Sequence, residues 1–469
     1  MNVMAKIKTL FGAQDMTKGN ILNCILKFAI PLLIGNIAQQ MYNTVDSIVV
    51  GKYVGDTALA AVGTAGPIMN LLLVLFMGVS TGASILAAQY YGAKDRPTLD
   101  KVIGSALFLL FLSGLIMMVV GYFASPALIQ MVSPPEAVAV GATAYLQIFF
   151  IGIVGCSMYN IISGILRGLG DSVYPLIFLI IACLLNIVLD PLFVATFGMG
   201  VAGVAWATII AQGISGILCL IRLCRMTDVV TVSFRAAVKP NGALTKKLCL
   251  LGLPAGITQA IFSMSAIIVQ SLTNSLGEAM IAANTAIMRV DGFAMMPNFT
   301  FGTAATTFAG QNIGARKLDR LRKGTKDLLM LAVGTSTVLV LCILLFGYQL
   351  IGLFTSTPLT MQLGQTGLRW LAFGYICFSV TQVLQGNMRG AGETMIPMWI
   401  SIINTVVLRM PLAYLLAFLT RCPEWPNGRP EAIFGSLLLS WIMGMIMSVI
   451  AYRSGKWKRR LPAELREGR

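Results

Sequence analysis

Twelve apolar stretches follow one another along this chain, at roughly 25–50, 57–88, 101–123, 137–163, 173–197, 201–223, 247–273, 279–310, 325–348, 361–387, 395–419 and 432–452. Each is long enough to cross about 30 Å of hydrocarbon at ~1.5 Å per helical residue. Inside lipid every backbone N–H and C=O must be bonded within the protein, so stretches of this length are expected as helices. With 57% hydrophobic and only 11% charged residues, a soluble globular fold is excluded.

The basic residues set the orientation. If the spans alternate as drawn, 28 of the 34 Lys and Arg residues fall on one side. The positive-inside rule makes that side the cytoplasm and places both termini there. The net charge of +16 is thereby read as juxtamembrane flanks over lipid, not as a nucleic-acid surface. No nucleic-acid partner is expected. Histidine is absent, which removes imidazole metal sites, His catalysis and His proton relays, and leaves carboxylates as the titrating groups. The nine cysteines form no CxxC pair, so no disulfide framework is expected. Residues 1–20 are mixed polar and carry no cleavable apolar core.

The chain repeats itself at an offset of 222 residues. Gly55-Asp56 matches Gly277-Glu278; Gln89, Gly92 and Ala93 match Gln311, Gly314 and Ala315. Arg167-Gly168 and Gly170-Asp171 match Arg389-Gly390 and Gly392-Glu393. Six spans per copy is an even number, so the copies share one orientation. The predicted fold is an all-α integral membrane protein with twelve transmembrane helices in two parallel six-helix lobes. Its predicted organisation is a cytoplasmic segment 1–24, an N-lobe 25–224, a cytoplasmic loop 225–246, a C-lobe 247–453 and a basic tail 454–469. Paired lobes of this kind suit a transporter that alternates access by rocking.

Several polar side chains interrupt the spans. Asp46 lies in the first, Asn160 in the fourth, Asn186 and Asp190 in the fifth and Thr208 in the sixth. An intramembrane carboxylate marks a function by default, although Asp46 is close enough to the end of its span to reach headgroups instead. Asn186 and Asp190 are four apart and share a helix face. Pro191 has no N–H, so the Ile187 carbonyl loses its helical partner. A carboxylate, an amide and a freed carbonyl together offer oxygen ligands for a small cation or a proton. For Asn160 and Thr208 the alternative is ordinary interhelical hydrogen bonding, at about 0.6 kcal/mol each. The second half carries its own charges, Arg289, Asp291, Arg369 and Arg409. Arg409 and Asp291 are expected to pair, since both fall midway along their spans and a buried arginine needs an anion.

Three sets of motifs resemble the multidrug and toxin extrusion (MATE) family of the MOP superfamily. They are T-x-G-x-I…F-A-I-P-x-x-x-G-x-x-x-Q-x-x-Y-N-x-x-D from Thr17 to Asp46, the paired A-x-Q-x-x-G-A-[KR] elements at Ala87–Lys94 and Ala309–Arg316, and the R-G-x-G-[DE] turns. The likeness runs from about residue 17 to 453. It implies export of amphipathic, often cationic, compounds in exchange for Na⁺ or H⁺, with no cofactor. In the DinF-like branch the N-lobe cation site uses acids on spans 1 and 5; by that resemblance the site here is Asp46, Asn160, Asn186, Asp190 and Thr208, with Na⁺ at Asp46, Asn186 and Asp190 if Na⁺ is the ion. The NorM-like branch relies on acids in spans 7 and 10, where this chain has Gln259, Gln270 and Arg369. A NorM-like C-lobe site is therefore not expected.

The reading is an antiporter in the cell membrane, monomeric, contacting lipid and a small amphipathic substrate. A flippase for lipid-linked saccharides is the alternative, kept open by Arg289, Arg369 and Arg409. An intramembrane enzyme is disfavoured, because no nucleophile-plus-base arrangement is visible.

Overall fold

The computed structural model describes residues 13–53, 56–132, 135–232, 238–423 and 425–460; the side chains of 42–59, Asp46 included, lie outside the described residues. The described chain is helical almost throughout. Its helices are α1 (Ile21–Tyr53), α2 (Asp56–Gly92), α3 (Arg96–Val132), α4 (Glu136–Ile151), α5 (Ile153–Gly168), α6 (Val173–Pro191) and α7 (Gly200–Arg225). There follow α8 (Gly242–Asn274), α9 (Glu278–Gly314), α10 (Leu318–Gly352), α11 (Pro358–Gly390), α12 (Met395–Ile402), α13 (Met410–Leu419) and α14 (Glu431–Arg453).

Among the described residues ten helices are long and apolar enough to cross a membrane, and α4 with α5 forms an eleventh span bent by 55°. The bend falls at Gly152, where a Cβ would lie 2.3 Å from the Ile209 side chain. The sequence reading drew this span straight. The expected eighth span, α9, is a helix of 37 residues but is too polar to pass the same test. Asn298, Thr300, Thr307, Gln311 and Asn312 are all buried in it, so the polar groups of its second half face protein and not lipid. The lipid-facing pattern shows on α3, where Phe111, Leu115, Val119 and Phe123 are exposed. Spaced by four, they form one apolar stripe.

The chain divides into two compact units. The first comprises Leu26–Gly256 with the described residues before Met16; the second comprises Met16–Ile25 and the chain from Ile257 onward. The repeat is visible inside each. In the first, Gly170 (φ 87°) donates its N–H to the Arg167 carbonyl at 2.9 Å, and Asp171 N–H donates to the Leu166 carbonyl at 2.8 Å. In the second, Gly392 (φ 85°) and Glu393 make the same bonds to Arg389 and Met388, at 2.8 and 2.9 Å. A positive φ of this size suits glycine alone. Lys94 and Arg316 are likewise matched, with φ of 58° and 59°.

Lipid tails are as apolar as leucine, so helices associate through close packing of small residues. Each unit does this at corresponding glycines. A Cβ on Gly168 would meet the Ser84 carbonyl oxygen at 2.4 Å, and one on Gly390 would meet the Thr306 carbonyl oxygen at 2.4 Å. Thus α2 lies backbone to backbone on α5, and α9 on α11, 222 residues apart in both cases.

Candidate functional site

The first unit places its polar spans together. Helix α7 packs against both α5 and α6, which brings the helices of Thr208, Asn160, Asn186 and Asp190 side by side. On α6 the i, i+4 spacing closes as expected, and Asn186 Nδ2 donates to Asp190 Oδ1 at 3.2 Å. Each residue is only 1% exposed. The helix does not simply bend after Pro191; it widens into a π turn over Leu192–Thr196. A π turn relieves the ring's clash with the preceding carbonyl by adding a residue to the turn, and such turns recur at functional sites.

Asn186 Oδ1 and Thr208 Oγ1 are buried without a hydrogen-bond partner. Buried oxygens are nearly always bonded, so Asn186 Oδ1 beside the Asp190 carboxylate, and Thr208 Oγ1 on the helix packed against theirs, leave spare acceptor capacity. Asn160 differs: its Nδ2 donates back to the Cys156 carbonyl at 2.9 Å, while its own backbone carbonyl accepts from Ser80 Oγ at 2.7 Å. Its amide donor is spent within its own helix. Among the described residues no three Cys, Asp or Glu side chains converge as a resident metal centre would need.

Just beyond these spans, Asp171 sits in the turn between α5 and α6 and receives two bonds from Arg222, Nε at 3.1 Å and Nη2 at 3.0 Å to one carboxylate oxygen. The Arg222 guanidinium also stacks 3.8 Å over the Tyr174 ring. Burial pushes the Asp171 carboxyl above its ordinary range, and the Arg222 charge works against that push.

In the second unit the four expected charges separate. Arg289 and Arg369 are exposed, whereas Asp291 and Arg409 are partly buried. Asp291 has Tyr375 and Arg409 as its electrostatic neighbours. Yet Asp291 Oδ1 and Arg409 Nε make no hydrogen bond, so the pair acts through space and not through a bidentate bridge. A second π turn, Ile403–Arg409, precedes Pro411 and carries Arg409 at its end. Sequence reasoning missed Tyr375 on α11, whose hydroxyl neighbours the Asp291 carboxyl, and Asn404 in that turn, whose Oδ1 is buried without a partner. Neither is charged, and nothing in their spacing separates them from packing residues.

Two structurally repeated units of long apolar helices, with ionisable groups buried among them, have the architecture of a multi-pass membrane transporter. The family pattern described as MatE matches two stretches, 31–192 and 254–415, one per repeat, and the chain belongs to that family. It is 31% identical to the probable multidrug resistance protein YpnP of Bacillus subtilis (strain 168), over 95% of this chain and 98% of the relative. It is 30% identical to the probable multidrug resistance protein YoeA of the same organism, over 95% and 96%. The solved outward-facing conformation of a multidrug resistance MATE family transporter of the MOP superfamily matches at 24% identity and a TM-score of 0.86, covering 97% of this chain and 98% of that one. At that identity the structural likeness speaks to the fold.

Proposed function

We propose that the chain is a cation-coupled antiporter that exports amphipathic, cationic small molecules by alternating access, with H⁺ or Na⁺ as the returning ion. The observation that carries this is the buried Asn186–Asp190 pair. A carboxylate held in lipid-spanning structure is expensive unless it serves a function, and this one has uncommitted oxygens on Asn186 and Thr208 nearby. Asp46, on α1, completes the proposed site by the family resemblance. The multidrug resistance relatives support small-molecule efflux as the process. The protein works in the cell membrane as a monomer, with both termini cytoplasmic, in keeping with the distribution of its basic residues.

A flippase for lipid-linked saccharides is the second reading, favoured by the exposed Arg289 and Arg369 within spans, which suit an anionic headgroup. The test is ethidium flux in proteoliposomes with Na⁺ and pH gradients imposed separately. Uphill ethidium movement driven by either gradient supports the antiporter. Its absence, together with gradient-independent movement of a pyrophosphate-linked lipid, supports the flippase.

A further inference from the structure

The second unit holds the chain segment that leads into α1 by an unusual set of bonds. Four successive backbone carbonyls, Met16 to Gly19, are engaged by two basic residues at the start of α10. Arg320 donates Nε to Met16 O at 3.0 Å, Nη2 to Lys18 O at 2.7 Å and Nη1 to Gly19 O at 2.7 Å. Lys317 Nζ donates to Thr17 O at 2.8 Å. The Met16 N–H donates in turn to Gln311 Oε1 at 2.9 Å, and Asn312 Nδ2 donates to Met16 O at 3.3 Å. Gly19 makes the turn possible with φ at 71°. Bonds from charged donors are each stronger than neutral ones, and the planar guanidinium is suited to holding several acceptors in fixed register.

We propose that Arg320, seconded by Lys317, is a positioning residue for the first helix: a releasable clamp that fixes where α1 begins and thereby controls the helix that carries Asp46. Helix α1 runs from Ile21 to Tyr53 with Pro31 inside it, and the clamp fixes the turn from which it starts. The clamp is releasable because it borders a cavity of about 440 Å³ lined by Gly19, Asn20, Asp319, Arg320 and Asp327. The bonds to Lys18 and Gly19 are exposed there, so water can replace them, while Met16 stays buried as the fixed point. The first unit uses a related device. Arg96, at the start of α3, bonds the Thr227 carbonyl and Thr231 Oγ1, and Asp100 Oδ1 accepts from Thr231 N–H at 2.8 Å. The segment leading into α8 is thus held there much as the segment leading into α1 is held here. The clamp rests on the export reading for its consequence, not for its geometry.

The test uses the full chain in proteoliposomes, with Cys24 kept as the sole cysteine. Cys24 Sγ donates to Lys18 O at 3.3 Å, so its alkylation rate reports on the clamped segment. R320A is expected to raise that rate by about tenfold, as loss of several charged hydrogen bonds implies. It should also lower the maximal rate of ethidium export while leaving the half-saturating ethidium concentration unchanged. R320K, with one compact ammonium in place of a fork, should fall between. R322A, which removes an exposed guanidinium 3.8 Å from Asp319, should match the parent in both readings. If R320A does not accumulate, K317A removes only the Thr17 bond and should raise Cys24 reactivity to a smaller extent. Parent-like alkylation and export in R320A, or in R320K and K317A together, overturns the clamp. A parent protein that exports nothing overturns the transport reading, and the alkylation comparison still decides the clamp.

Discussion

Arg222 and Asp171 form a bonded pair in the first unit, at a turn that the second unit repeats with Glu393. Both Arg222 donors converge on Asp171 Oδ2, whose side chain is fully buried while Arg222 retains 21% exposure. At the matching turn, Glu393 Oε1 reaches forward to accept from the Met395 and Ile396 N–H groups at 3.0 and 3.1 Å. Asp171 Oδ1 accepts from the Tyr174 N–H at 3.2 Å at the equivalent position, so the repeat preserves the turn, its acid and the cap on the next helix, and Arg222 is an added partner of Asp171.

Removing Arg222 should be costly and pH-dependent. R222M strands a buried carboxylate, at a cost of about 3 kcal/mol or more. Burial already raises the Asp171 pKa in the folded protein, so the folded state binds the proton more tightly than the unfolded one. Stability from this group therefore grows as pH falls through the folded value. Thermal melting in detergent should show R222M recovering relative to the parent as the pH is lowered. The R222M/D171N double variant should show no such recovery. An R222M melting curve parallel to the parent at every pH would remove the pair from the account.

The matched glycine contacts predict a position-specific cost. G390A drives a methyl to 2.4 Å from the Thr306 carbonyl oxygen and 2.7 Å from the Ala309 Cβ. Backbone cannot give way cheaply, so a loss of about 1–3 kcal/mol is expected. Gly334, with nothing within 4 Å of its Cβ position, should accept alanine without loss. Equal melting temperatures for G390A and G334A would contradict the backbone-to-backbone packing of α9 on α11.

Asp291 and Arg409 should show coupling without the signature of a direct bridge. Either D291N or R409M leaves the other charge without its neighbour in a low-dielectric interior, with a cost of up to about 3–5 kcal/mol. The double variant should recover much of that loss. Melting temperatures of the three variants test it; a double variant no better folded than the worse single would mean the two charges are independent.

Much of this architecture is legible in the sequence, and the limits have physical causes. Apolar length declares a span and the 222-residue offset declares the repeat, because both are properties of one strand of chain. The Asn186–Asp190 bond was foreseeable for the same reason, since both groups ride on one helix face. What spacing does not carry is the rotation and depth of one helix against another. Arg222 meets Asp171 across 51 residues and Arg320 meets Met16 across 304. Gly152 gave no sign of a break because the steric need comes from Ile209 on a different helix. Arg289 and Asp291, two apart on α9, face different surroundings as their spacing implies, Arg289 exposed and Asp291 partly buried.

The measurement that bears most directly on the central claim is gradient-driven ethidium export by D190N in proteoliposomes, compared with the parent and with N186A. Asparagine keeps the shape of Asp190 and its place beside Asn186 but removes the charge proposed to bind and release a cation. The account predicts that D190N folds and reconstitutes normally yet exports nothing against a gradient, while N186A retains part of the activity because an amide contributes ligation without charge. Parent-like uphill export by D190N would contradict it.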